Sequence, residues 1–195
     1  MHDVHSLSFK GGIDADGHIL EPLDLWLDYI EPEFRDRALH VELDDNGLEA
    51  MVINGKRPLM SSRGMVSTLG AMGAPNLRDI QMDPANTYDK MAPFGTQDPS
   101  ERLTILDAEN MDAVVLYTSV GLLWETEVLD EALTMAHMRA YNRWITEWCS
   151  DGKGRLIPAA HVSMSFPEAS VAEIERAVEA GARSIFVAPF THDRK

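Results

Sequence analysis

The residues with the most chemical potential lie together near the start of the chain, in Asp14-Ala15-Asp16-Gly17-His18-Ile19-Leu20-Glu21-Pro22. Alternate side chains of a strand share a face, so Asp14, Asp16 and His18 are expected to project together where a first strand ends. Two carboxylates and an imidazole, with Glu21 three residues on, form a donor set for a divalent ion. The carboxylates suit hard cations and the imidazole suits borderline ones. A purely structural strand would carry Val, Ile or Leu at such positions. The same residues also fit a plainer role, with Asp14 and Asp16 capping turns, His18 a satisfied buried histidine and Glu21 serving a helix N-terminus. Spacing alone leaves both readings open.

The elements that must position these groups are read from periodicity. A strand is expected over 12–20. A helix follows, opened by Pro22, with Leu23, Trp26, Leu27 and Ile30 on one face. Segments 39–43 and 48–53 flank Asp45-Asn46-Gly47, a hairpin turn signal. From 57 to 94 the pattern dissolves into Gly, Ser, Pro, Asn and scattered Met, which reads as a long structureless loop serving as a lid or an interface arm. Regular alternation then returns. Asp98, Pro99 and Glu101 form a capping box, and Asn110 suits a left-handed C-cap. A buried strand is expected over 112–119. A long helix then places Leu129, Leu133, Ala136, Ala140, Trp144, Ile145 and Trp148 inward. After a strand over 155–162, a helix from Pro167 carries Val171, Ile174 and Val178 and closes at Gly181, and a last strand covers 183–190.

Helices of this length between buried strands imply right-handed crossovers and a parallel sheet. Such folds place their sites at the C-terminal ends of the strands. Glu21, Thr118, Ser119, His161 and His192 are therefore candidates to line a site. Capping, ordinary burial and, for His192, a frayed terminus are the alternatives.

Composition narrows the function. The 195 residues hold 32 acidic and 17 basic side chains, a formal charge of −15. Such a field repels phosphate backbones and anionic bilayers, so neither nucleic acid nor a membrane is an expected partner. Cys149, the single cysteine, excludes an intrachain disulfide and a cysteine-based zinc site. With no leader-like or spanning apolar segment, a cytoplasmic location is expected. GxGxxG, Walker A, GxSxG, HExxH and CxxC motifs are all absent.

Residues 13–22, followed by Asp24, Trp26 and Tyr29, resemble the opening of the amidohydrolase-related (amidohydrolase 2) family of metal-dependent hydrolases. That family includes 2-amino-3-carboxymuconate-6-semialdehyde decarboxylase and the resorcylate decarboxylases. The resemblance continues through Asp98-Pro99-Ser100-Glu101-Arg102-Leu103 with Asp107, Ala140-Tyr141-Asn142-Arg143-Trp144, Arg155-Leu156 and 173–181. It implies an α/β fold, the N-terminal half of a metal-bearing (β/α)8 TIM barrel. About four parallel strands would make a single, incomplete domain over 1–195, with a hairpin-and-loop insertion at about 22–97.

The family's first-strand His-x-His pair falls on Asp16 and His18, so these two are the implied metal ligands. Aspartate in place of the first histidine keeps an anionic donor and makes Mn or Mg as suitable as Zn. The other family ligands lie on later strands, so a homo-oligomer or completion by another chain is expected. The implied activity is that of a metal-dependent hydrolase or non-oxidative decarboxylase acting on a small-molecule substrate such as an aromatic carboxylate, with no catalytic residue assigned. The alternative is a catalytically incompetent half-barrel serving as an interaction or assembly module.

Overall fold

The computed structural model describes residues 11–59 and 61–189; His192, one of the expected site-lining residues, lies outside them. Strand β1 (Gly12–His18) leads into helix α1 (Leu25–Tyr29), a 3-10 segment over Pro32–Arg37, and the antiparallel hairpin β2 (His40–Leu43) and β3 (Glu49–Val52). Three short helices follow, α2 (Met65–Gly70), α3 (Leu77–Gln81) and α4 (Tyr88–Met91). The chain then runs α5 (Pro99–Ala108), β4 (Met111–Tyr117), α6 (Glu131–Ser150), β5 (Leu156–Val162), α7 (Pro167–Glu179) and β6 (Ser184–Val187). β1, β4, β5 and β6 pair in that order, all parallel, as a curled half-barrel with helices on its outside.

Local chemistry starts and stops these elements. Asp98 Oδ1 accepts the Ser100 and Glu101 N–H groups at 2.8 and 3.0 Å, capping α5 with Pro99 as its first residue. Glu101 reaches back to the Gly95 N–H at 2.9 Å, not to the Asp98 N–H of a standard capping box. Asn110 takes the left-handed conformation at φ 57° that ends the helix and turns the chain into β4.

Neighbouring residues on paired strands share a face, which separates the two sides of the sheet. Val114, Leu116 and Leu156 are buried in the core with Leu133, Ala136, Ala140, Trp144 and Ile145 of α6. Ala160 packs closely on Ala177 and Ala182 beside α7. The opposite, concave side is half open: Ile13 is 59% exposed, and Val115, Tyr117, Ile157 and Phe186 are half-buried. A concave side that is only partly covered is what a barrel wall shows when its other half is not in contact with it.

Several expectations change. α1 starts at Leu25 and not at Pro22, because the Pro22 carbonyl accepts the Leu25 N–H in a tight turn at 3.0 Å. The 57–94 region is not structureless; its helices of four to six residues bury Val66, Ile80 and Tyr88. Helices that short display no readable period. Leu129 precedes α6 and is 70% exposed, since Asp130 is the N-cap and accepts the Leu133 N–H at 3.2 Å. On α7 the apolar Val171 and Val178 are exposed, while Ser170, Glu173 and Ala177 are buried. Glu173 is drawn inward by Asn142 Nδ2 at 2.7 Å and by Arg176, whose Nε and Nη2 lie at 2.8 and 2.6 Å. Among the described residues no helix is long and apolar enough to cross a membrane.

His137, on α6, ties the segment before β2 to the barrel wall. Its Nδ1–H donates to the Leu133 carbonyl at 2.8 Å, and its Nε2 accepts the Leu39 N–H at 3.0 Å. That pair of roles requires the neutral ring, and burial lowers the His137 pKa to about 4.

Candidate functional site

The end of β1 departs from simple alternation. Asp14 pairs with Val114 and Gly17 with Leu116, so Ala15 and Asp16 together span the single step made by Val115. This bulge puts Asp14 on the helix-facing side with Val114, while Asp16 and His18 fall on the concave side with Tyr117. The expectation that all three groups project together is corrected to two. Asp14 instead folds back, and its Oδ1 accepts the Asp16 N–H at 3.0 Å, the turn-capping role. Gly17 makes the bulge possible: a Cβ there would lie 2.2 Å from Val114 Cγ2.

His18 is the best-defined member of the site. Its Nδ1 lies 2.8 Å from the Thr118 carbonyl oxygen and 3.3 Å from Ser119 Oγ. A carbonyl only accepts, so Nδ1 carries a proton, and in the neutral ring Nε2 keeps the lone pair. The backbone is pinned as well, since Arg102 Nη2 donates to the His18 carbonyl at 2.7 Å and Arg102 Nε to the Gly95 carbonyl at 2.6 Å. Asp16, two residues back, is exposed on the same face.

Glu21, Thr118 and Ser119 meet directly beneath this histidine. Glu21 is 0% exposed. Its Oε1 accepts from Thr118 Oγ1, from the Ser119 N–H at 3.0 Å and from the Gly121 N–H at 3.2 Å. Its Oε2 accepts the Ser119 and Val120 N–H groups at 3.2 and 3.0 Å. One buried carboxylate thus organises the turn after β4, where the 3-10 segment Val120–Leu123 begins.

His161 sits apart from that group and is 1% exposed. Its Nε2 lies 3.1 Å from Glu125 Oε2, and Ser163 Oγ donates to Glu125 Oε1 at 2.8 Å. Its Nδ1 has no hydrogen-bond partner among the described residues, and neither do the nearby Trp124 Nε1 and Tyr141 hydroxyl. β4 and β5 pair only as far as Leu116 and Pro158; beyond, Asn142 of α6 binds the His161 N–H and carbonyl at 2.7 and 3.0 Å. A line of rings joins the two histidines across the sheet: His18 to Tyr117 at 6.2 Å, Tyr117 to Phe186 at 6.4 Å, and Phe186 to His161 at 5.0 Å.

Glu125, Ser163 and Asn142 as members of this polar cluster were not foreseen from sequence. Asn142 carried a faint signal, a polar residue in the midst of an apolar helical stripe. Glu125 carried none. Cys149 is buried, and burial pushes its thiol up to about 12, which leaves it without nucleophilic character near neutrality.

Among the described residues no three His, Cys, Asp or Glu side chains converge as a complete metal cage. Two donors on one strand, one of them a histidine with its outer nitrogen bare, are what a single barrel strand can contribute to a larger coordination sphere.

A sequence model of the amidohydrolase family matches residues 13–193. No curated protein matches the chain. Among solved structures, the amidohydrolase map2389c from Mycobacterium avium subsp. paratuberculosis K-10 superposes with a TM-score of 0.66 at 23% identity, over 93% of this chain and 50% of that one. The 2,6-dihydroxybenzoate decarboxylase from Rhizobium superposes with a TM-score of 0.53 at 14% identity, over 94% of this chain and 40% of that one. The same decarboxylase in complex with 2,6-dihydroxybenzoate gives the same values of 0.53, 14%, 94% and 40%. The chain thus spans half or less of the length of these structures, whose likeness establishes the fold. The family match over nearly the whole chain, on a half-barrel fold, places this chain in the amidohydrolase family.

Proposed function

We propose that this chain forms the first half of a metal-dependent amidohydrolase-family active site, in which Asp16 and His18 hold a divalent ion at the barrel mouth. The observation that carries this reading is the His18 hydrogen bond from Nδ1 to the Thr118 carbonyl at 2.8 Å, which leaves Nε2 free to bind. The residues present fit such an ion: a carboxylate and an oriented neutral imidazole on one face suit Zn, Mn or Mg. When bound, the ion supplies Lewis acidity that activates a water or polarises a substrate carbonyl or carboxylate.

The chain's own residues set the conditions for that chemistry. Arg102 and Thr118 hold His18 from two sides, so its ring needs no reorganisation to bind. The half-buried rings of Tyr117 and Phe186, 6.4 Å apart on the concave face, offer an apolar wall beside the donors. That wall suits a small aromatic acid held by its carboxylate end. Hydrolysis and non-oxidative decarboxylation both need this arrangement and neither needs a redox partner. Further ligands and the acid–base group belong to barrel strands outside the four described, supplied by another segment or another chain.

Zinc titration followed by thermal unfolding checks the proposal, because a ligand that binds only the native state raises its stability in proportion to RT ln(1 + [L]/Kd). His18→Ala and Asp16→Ala are each expected to weaken the zinc-dependent rise by about tenfold or more in affinity, on the order of 1.4 kcal/mol. Equal zinc responses in both variants and the unaltered chain would overturn the assignment.

A further inference from the structure

Glu21 is buried and carries a carboxyl group; among the described residues no cationic side chain binds it, and its hydrogen bonds come from the turn at 118–121. Burying a carboxylate is unfavourable unless its hydrogen bonds are made, and here the turn makes them. What the carboxylate accomplishes is geometric. It accepts the Ser119, Val120 and Gly121 N–H groups and the Thr118 hydroxyl at once, which turns the Thr118 carbonyl and the Ser119 hydroxyl toward His18 Nδ1.

Two further observations show how closely that turn is held. A Cβ on Gly121 would fall 2.0 Å from Thr118 Oγ1, so the turn closes around the Thr118 hydroxyl with no room to spare. The Tyr88 hydroxyl donates to the Glu21 backbone carbonyl at 3.0 Å, fixing that residue from the side of α4. Glu21 and His18 are therefore joined through space by the Thr118–Ser119 peptide, although their side chains share no direct hydrogen bond among those described.

We infer that Glu21 is a positioning residue that selects the Nδ1–H tautomer of His18, acting through Thr118 and Ser119. Its functional meaning rests on the reading of His18 as a metal ligand; its physical content does not, because the tautomer exists in the metal-free protein. An unconstrained neutral histidine side chain in water favours the opposite, Nε2–H form. The unaided ring would therefore present the wrong nitrogen, and the turn built by Glu21 reverses that preference.

The test is long-range 1H–15N correlation of the His18 ring in metal-free protein, at a pH well above the imidazole range, with zinc affinity measured in parallel. The unaltered chain is expected to show Nδ1–H as the dominant form. Glu21→Gln offers an amide NH2 to groups that are themselves donors, and is expected to shift the tautomer ratio toward Nε2–H by about tenfold and to weaken zinc by roughly 10–100-fold. Thr118→Ser keeps both the hydroxyl and the carbonyl and is expected to retain the original ratio.

An Nε2–H ring in the unaltered protein overturns the inference even if Glu21→Gln does not fold, as does an unchanged ratio in a folded Glu21→Gln. A shifted tautomer with no zinc bound at His18 in the unaltered chain upholds the positioning role and refutes the metal reading. Zinc at His18 with tautomer and affinity both indifferent to Glu21→Gln does the reverse.

Discussion

Gly17→Ala is expected to destabilise the protein by about 3 kcal/mol, at the upper end of the range for overpacking a core. A methyl group at this position would stand 2.2 Å from Val114 Cγ2, 3.0 Å from the Val115 carbonyl oxygen and 3.2 Å from Asp14 Oδ2. Val114 is fully buried in the main core, and the carbonyl belongs to β4, so neither can move without disturbing the sheet. The strand must then shift at the bulge that sends Asp16 and His18 to the concave face. The clash with Val114 gives the prediction an internal control. In Gly17→Ala/Val114→Ala the added methyl enters the space left by the removed ones, and the double variant is expected to be more stable than the sum of the two single losses by about 1 kcal/mol or more. Denaturant unfolding of the four proteins measures this. Additive losses would place the obstruction elsewhere than Val114.

Acid should weaken the fold earlier than its carboxylates alone would dictate. His137 titrates at its ordinary 6.5 in the unfolded chain and at about 4 in the native protein, lowered chiefly by burial. Between those values the unfolded state binds the proton and the native state does not. The stability associated with the neutral ring is therefore whole above about pH 6.5 and is lost as pH falls toward about 4. At 1.36 kcal/mol per pH unit the loss approaches about 3 kcal/mol. Carboxylates with lowered native values act in the same direction but lower on the scale. Asp98 is held low by the Ser100 hydroxyl and Asp130 by Arg37, so what they contribute is lost only beneath the ordinary aspartate range. Unfolding free energies measured across about pH 5 to 6.5, above the ordinary carboxylate range, report chiefly on the histidine, with Glu49, whose carboxyl is raised by burial, acting in the opposite direction. His137→Gln is expected to flatten the slope there, whatever it does to absolute stability. An unchanged slope would show that His137 is not the group responsible.

Features decided by a few adjacent residues were legible in the amino-acid sequence. Asp98-Pro99 starts a helix, Asn110 ends it with φ 57°, and Asp45-Asn46-Gly47 turns a hairpin, because each completes its own hydrogen bonds locally. The parallel order of β1, β4, β5 and β6 followed from helix-length spacers between apolar runs. Features decided by distant partners were not. The bulge at Ala15 and Asp16 exists only in register against β4, about a hundred residues away, and it removed Asp14 from the concave face. The exposed Val171 and buried Glu173 reverse the apolar pattern of α7 because Asn142 and Arg176 satisfy the acid inside.

At the candidate site, Asp16, His18, Glu21, Thr118 and Ser119 were each singled out by type and position. That Glu21 reaches the 118–121 turn, and that the turn in turn holds His18, depends on a tertiary contact with no trace in the spacing.

Paramagnetic mapping with Mn2+ tests the central claim most directly. A chain with a formal charge of −15 attracts a divalent cation to many surface carboxylates, so total binding is uninformative and location is decisive. As Mn2+ is raised from substoichiometric levels, the NMR signals of His18, Asp16 and Tyr117 are expected to broaden first and together. Zinc should compete that broadening away, and His18→Ala should abolish it. Broadening spread over the acidic surface, with the His18 ring unaffected and no difference in His18→Ala, would contradict the assignment of a metal to this strand end.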